Sequence, residues 1–196
     1  MNQNAVQMAH NTTITVQRGA KLLVDGGTLT SVCRNWQGVY VWGTPTAAAS
    51  LTVGGPHGIV EMVNGATIEN AVVGIRASKE GDCCNWSGGI VRAIGNGPDD
   101  RVTFRNCRKA VELMRYVPNG NDVGSASEFK FCNFVCDAPM RHPSFVLNGQ
   151  PLGVNSFVTV WDQRGVTFSH CDFTNTYIDT EQFPQHLIAV NLSKNN

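Results

Sequence analysis

The sequence predicts an all-β protein, and within that class a right-handed, single-stranded parallel β-helix: a solenoid of three short strands per coil with insertions in its loops. Three observations carry the prediction. Valine occurs 23 times and leucine 9 times in 196 residues, with 15 threonines besides. Such β-branched side chains are stiff at χ1 and suit pleated, half-buried surfaces better than helices. Short runs of alternating apolar residues recur along the chain, separated by turns that draw on 20 glycines and 18 asparagines, residues that tolerate the left-handed backbone of tight turns. Finally, one strand–turn–strand phrase returns at spacings inside the ~20–50 residue window of stacked repeats. No stretch shows the apolar spacing of an amphipathic helix.

Strands are expected at residues 13–16, 21–24, 38–42, 58–62, 66–70, 89–93, 101–104, 110–113, 158–161, 166–168 and 187–190, where apolar residues alternate as on a strand with one buried face. The stretch from Gly58, GIVEMVNGATIENAVVGI, parallels the stretch from Gly89, GIVRAIGNGPDDRVTFRNCRKAVEL. In both, a middle strand ends in Ile68-Glu69-Asn70 or Phe104-Arg105-Asn106 before a small residue and a third strand. The phrase returns as Phe168-Ser169-His170-Cys171 and, more loosely, Phe129-Lys130-Phe131-Cys132. Its marker residues, Ile68, Phe104, Phe129 and Phe168, are 36, 25 and 39 apart, so insertions fall in loops between fixed strands. Stacked coils place equivalent inward residues ~4.8 Å apart. One inward ladder is therefore expected to hold Ile68, Phe104 and Phe168, and another Ala71, Cys107 and Cys171. A β-sandwich also shows short alternating strands, but it has no need of a recurring phrase. The chain reads as one β-helix domain over residues 1–196, with regular coils over about 12–175, cut from a longer protein because strands run close to both ends.

Fifteen basic and fifteen acidic residues give zero net charge, and charged residues are only 15% of the chain. That excludes the basic excess by which general nucleic-acid binders neutralise phosphates. No apolar run approaches the ~18 residues of a membrane span. Residues 1–11 have neither a basic start nor an apolar centre, so no secretory signal is visible there; the chain is either cytoplasmic or a piece of a longer precursor. Seven cysteines leave at least one unpaired within the chain. Cys132 and Cys136 are four apart, but no second ligand pair follows at zinc-site spacing, so no metal is expected and buried reduced thiols are the reading for Cys107 and Cys171.

The phrases ITVQRGAKLLVDGGTLT (14–30), WQGVYVWG (36–43), GIVEMVNGATIENAVVGI (58–75) and GGIVRAIGNGPDDRVTFRNCRKAVEL (88–113) look like right-handed parallel β-helix repeats. They resemble those of large bacterial surface proteins exported by the type IX pathway, with WQGVYVWG the most specific part. The resemblance implies a pectin-lyase-like fold, an extracellular or cell-surface location, and mostly no assigned chemistry.

The role expected is structural or adhesive and non-catalytic, contacting a polysaccharide or another surface protein. The alternative is a polysaccharide lyase or glycoside hydrolase of the same fold, which would need convergent carboxylates, or calcium-binding acids and a basic residue. Asp99-Asp100 sits in turn composition, Asp162 and Asp172 flank the strand at 166–168, and Asp179 and Glu181 lie in a polar loop. Arg92, Arg101, Arg105 and Arg108 are the available bases, while the five histidines are scattered, with His57 and His170 read as turn residues. No dinucleotide fingerprint, phosphate loop or nucleophile elbow occurs, so no cofactor and no catalytic residue is expected. The candidate binding surface is an outward ladder: alternation places Tyr40, Glu61, Arg92, Glu112 and Thr159 at equivalent positions, with Trp42 and Trp161 two residues further on. Acid–base–acid stacking attracts between coils, and tyrosine, tryptophan and arginine commonly carry binding.

Overall fold

A computed structural model describes residues 4–32, 36–82, 84–120, 124–138, 146–147, 150–151, 156–176 and 188–193. Every strand expected from the alternation is present, and with them the three-sided solenoid. The strands β1 (Ala5–Gln7) and β2 (Thr13–Val16) open it. The first full coil is β3 (Lys21–Asp25), β4 (Thr28–Thr30) and β5 (Trp36–Val41); the second is β6 (Ile59–Val63), β7 (Thr67–Glu69) and β8 (Ala71–Arg76). The third is β9 (Ile90–Ile94), β10 (Val102–Arg105) and β11 (Lys109–Leu113). In the fourth, β12 (Glu128–Lys130) and β13 (Cys132–Cys136) are followed by an antiparallel hairpin, β14 (Val146–Leu147) and β15 (Gln150–Pro151), before β16 (Ser156–Trp161). The last coil is β17 (Thr167–Ser169), β18 (Asp172–Asn175) and β19 (Ile188–Ser193).

Three sheets result. The first runs β3-β6-β9-β12-β17, the second β1-β4-β7-β10-β13-β18, and the third β2-β5-β8-β11-β16-β19, with every pairing in them parallel. Each coil visits first, second and third sheet in turn, with the right-handed winding that parallel strand connections take.

Register turns each inward position into a column. The second sheet stacks Val6, Leu29, Ile68, Phe104, Phe134 and Phe173. The first stacks Val24, Met62, Ala93, Phe129 and Phe168. The third stacks Ile14, Val39, Ile75, Val111, Val158 and Val190. Face-to-face rings run up two of these columns: Phe104 to Phe134 at 5.2 Å, Phe134 to Phe173 at 4.7 Å and Phe129 to Phe168 at 4.8 Å.

The expected ladder of Ile68, Phe104 and Phe168 is therefore corrected. Ile68 and Phe104 share a column, but Phe168 stands on the first sheet above Phe129. The cause is that one four-residue phrase serves two different corners. Ile68-Glu69-Asn70-Ala71 and Phe104-Arg105-Asn106-Cys107 turn from the second sheet into the third, whereas Phe129-Lys130-Phe131-Cys132 and Phe168-Ser169-His170-Cys171 turn from the first into the second. All four put their third residue in the left-handed region: Asn70 at φ 58°, Asn106 at 51°, Phe131 at 49° and His170 at 54°. His170 is thus the turn residue expected of it, with its ring stacked 4.6 Å from Phe131.

The same split separates the cysteines. Cys107 lies beside Ala71 at the second corner, buried, while Cys171 lies beside Cys132 at the first and is only half-buried, so Cys107 and Cys171 share no ladder. Both are free thiols, as are Cys132 and Cys136, whereas Cys84 is disulfide-bonded. Cys33 and Cys83 lie outside the described residues.

Glycine is required where coils nearly touch. Gly38, at φ 111° in the phrase WQGVYVWG, lies where a β-carbon would fall 1.6 Å from the carbonyl oxygen of Val73. It marks a register shift between β5 and β8, where Gly74 is the extra residue.

Phe104→Ala should cost about 3–5 kcal/mol, the range for emptying a fully buried aromatic site, read as a fall in urea midpoint at unchanged slope. Phe168→Ala, at the half-buried last coil, should cost clearly less. Equal losses would contradict the separate columns.

Candidate functional site

The outward positions singled out by the sequence fall in two columns. On the first sheet the register stacks Leu23, Glu61, Arg92, Glu128 and Thr167. On the third it stacks Thr15, Tyr40, Arg76, Glu112, Thr159 and Asn191. The expected single ladder is thereby divided: Tyr40, Glu112 and Thr159 belong together, and Glu61 and Arg92 belong to another face. Alternation tells in from out, but it does not tell which of three sheets a strand joins.

Each column still alternates in charge. Arg92 lies 4.0 Å from Glu61 and 3.0 Å from Glu128, so it sits between two carboxylates, the second being Glu128 and not Glu112. Lys21 closes on Glu61 at 2.6 Å. On the third sheet Glu112 takes Arg76 at 2.9 Å and also Lys109. Burial separates the two sets: the Glu112 side chain is 9% exposed, against 22% for Glu61 and 36% for Glu128. Exposed pairs contribute ~0–1 kcal/mol each, whereas a nearly buried carboxylate left without its cation is costly. Beside Arg76, Tyr40 is buried; burial first, then the charge of Glu80, pushes its phenol up, against a smaller pull from Arg76.

Trp42 and Trp161 both follow the third-sheet column, but the structure gives them different neighbours. Trp161 ends β16 next to Asp162. Trp42 meets Trp86 edge-to-face at 5.3 Å. The Arg18 guanidinium lies 3.9 Å over the Trp86 ring, while the Lys79 ammonium lies 5.3 Å from both indoles. Arg18 donates to the carbonyls of Gly43 (2.8 Å) and Asn85 (2.7 Å). Asp82 is turned onto main chain, accepting from the N–H groups of Cys84, Asn85 and Trp86 at 3.3, 3.1 and 2.5 Å. Burial would raise its carboxyl, but these donors outweigh it and hold the group below the ordinary range. Arg18, Lys79 and Trp86 escaped the sequence reading because the cluster draws on connections after β2, β5 and β8, residues far apart in a chain without fixed period. The only local hint was the recurrence of long connections after third-sheet strands.

The acids considered for catalysis do not converge. Asp100 accepts from Asn96 at 2.5 Å in the turn between β9 and β10, within a row that continues through Asn64 to Asp25. Asp162 takes Arg115 at 3.0 Å after β16, and Asp172 takes Arg101 at 3.0 Å on β18. Asp99 is exposed in the turn, and Asp179 and Glu181 lie outside the described residues. Of the other bases, Arg105 pairs with Asp137, which that guanidinium holds below the ordinary carboxyl range; Arg108 is pulled down by burial. His57 is buried, with Nε2 3.0 Å from the Ala48 carbonyl and its ring against Tyr116. An open cavity of about 490 Å³ lies where Tyr116, Val160, Asp162, Gln163, Arg164 and Leu192 meet. Among the described residues no three His, Cys, Asp or Glu side chains group as metal ligands would, and no helix is long and apolar enough to cross a membrane.

Arg92→Glu would place three carboxylates in the first-sheet column. The urea midpoint should fall, more at low salt than at high, because screening weakens repulsion over a Debye length of ~10 Å at 0.1 M. Arg76→Gln should cost more than Arg92→Gln, since Glu112 is the better buried partner. A salt-independent loss for Arg92→Glu, or the reverse order for the glutamines, would contradict the two-column arrangement.

No family model matches the chain, and neither a curated protein nor a solved structure matches it.

Proposed function

We propose that this chain is a non-catalytic, adhesive or structural β-helix segment of a secreted or cell-surface protein, and that it contacts glycans carrying acidic sugars. The observation that carries the reading is the cluster of Trp42, Trp86, Arg18 and Lys79. The partly exposed surface of the two indoles is apolar and can pack against sugar C–H groups, and amphipathic rings of this kind dominate contact energetics. Two cations stand beside them, and the nearby acid, Asp82, is committed to main-chain N–H groups. A uronate or sulfated sugar meets both demands, through its ring and through a charge-assisted hydrogen bond. The solenoid supplies a rigid frame that holds such a contact in place.

Three further points support the reading. The disulfide at Cys84 fits an oxidising compartment. The resemblance of WQGVYVWG and its companion phrases to repeats of type IX-exported surface proteins implies the same location and a pectin-lyase-like fold. Asp100, Asp162 and Asp172, the acids a lyase or hydrolase reading would enlist, each serve a turn or an ion pair in a different part of a coil.

Calorimetric titration with polygalacturonate, alginate and a neutral β-glucan tests this. Binding is expected for the acidic polymers, weaker at high salt, and at least about tenfold weaker in Lys79→Ala and Trp86→Ala, a loss of about 1.4 kcal/mol. Equal affinity for the neutral glucan, or unchanged affinity in folded variants, would overturn the assignment of the cluster. Release of unsaturated uronates or reducing ends during the titrations would overturn the non-catalytic reading.

A further inference from the structure

Two cysteines occupy the same corner of successive coils. Main-chain pairing is in register on both sides of them: the Phe131 N–H donates to the Ser169 carbonyl at 3.0 Å, and Asn133 faces Asp172 directly after. Cys132 and Cys171 are therefore stacked neighbours, one strand spacing of ~4.8 Å apart, within the ~4.4–6.8 Å between α-carbons that a disulfide spans. Their side chains point the same way. Cys132 Sγ lies 3.2 Å from the Ala93 carbonyl and Cys171 Sγ 3.5 Å from that of Phe129, and Ala93 and Phe129 are themselves register partners.

We propose that Cys132 and Cys171 are an oxidisable pair that closes to a disulfide and clamps the last coil of the solenoid onto the one before it. Exposure sets the order of events. Cys132 is buried and Cys171 half-buried, so an external disulfide reaches Cys171 first. The neighbouring Cys132 thiol holds the Cys171 thiol below the ordinary range, with a smaller contribution from the charge of Arg101, while Cys132 is pushed up by the same proximity and by burial. The nucleophile and the resolving thiol are thus distinguished by place and by acidity.

With glutathione disulfide as oxidant, the Cys171 thiolate attacks one glutathione sulfur. A protein–glutathione bond forms, the glutathione S–S bond breaks, and one glutathione thiolate leaves. Cys132 then gives up its proton to solvent and attacks Cys171 Sγ, expelling the second glutathione. The protein loses two thiol hydrogens and two electrons, and the oxidant becomes two reduced glutathiones. Closure draws the β-carbons toward the ~3.8 Å of a disulfide. The last coil can follow, because Phe168 and Phe173 are only half-buried in their columns. The bridge also ties off the chain that carries the hairpin β14–β15, so the unfolded state loses freedom and the oxidised protein is the more stable.

The test is to incubate the native protein with glutathione disulfide, alkylate the remaining thiols, and map peptides without reduction. A Cys132–Cys171 cross-linked peptide is expected, with alkylated Cys107 recovered only after unfolding, since burial pushes that thiol up to about 12. The thermal midpoint should rise on oxidation and return with dithiothreitol. Cys171→Ser should abolish the cross-link and leave the midpoint insensitive to oxidant, while Cys132→Ser should trap a glutathione adduct on Cys171. Wild-type protein that retains both thiols, stops at the Cys171 adduct, or links either cysteine to Cys107 or Cys136 would overturn the proposal.

Discussion

In-register stacking of parallel coils governs everything else in this molecule. Parallel ladders hold neighbouring strands at ~4.8 Å, so each side chain has its counterpart directly above and below. A residue cannot be accommodated alone; it must suit a column. Inside, the consequence is a core that changes character along the axis. The early coils stack Val24 with Met62 and Leu29 with Ile68. The second-sheet column is aromatic from the third coil onward and the first-sheet column from the fourth, and Phe129 and Phe134 of one coil, 6.2 Å apart, tie the first sheet to the second. Phe157 joins them from the third sheet at 6.3 Å from Phe134.

The same constraint acts on the outer faces with a different penalty. Stacked like charges would repel, so acid and base alternate, as in Glu61–Arg92–Glu128. Where the face is exposed the arrangement mainly prevents repulsion and keeps register. Where it is nearly buried, as at Glu112, Arg76 and Lys109 together supply what water no longer does.

Corners carry the local strain that this regularity requires. A left-handed residue costs roughly 1–2 kcal/mol unless it is glycine, or an asparagine or aspartate with its local hydrogen bonds. In the four recurring phrases asparagine takes two of these positions, and Phe131 and His170 take the other two. Their rings stack on one another, so contact between coils offsets what the backbone loses. The adjoining Cys132 and Cys171 are stacked on one another by that pair of turns.

The sequence by itself determined most of the strands, though not β1, β13 or β18, together with their short length, their inward and outward faces and the solenoid they build, because alternation and turn composition are local properties. It also made the recurring phrase visible. Only the tertiary structure decided which sheet each strand joins. Phe104 and Phe168 stand in like phrases yet lie on different sheets, since a sharp left-handed turn reads the same at either corner. For that reason the ladder through Tyr40, Glu61, Arg92 and Glu112 divided in two, and Cys171 met Cys132, not Cys107. Arg18, Lys79 and Trp86 could gather around Trp42 only once the winding of three coils had brought their connections to one edge. Nothing local encodes that meeting, because the loop lengths that set it vary freely while the strands remain in register.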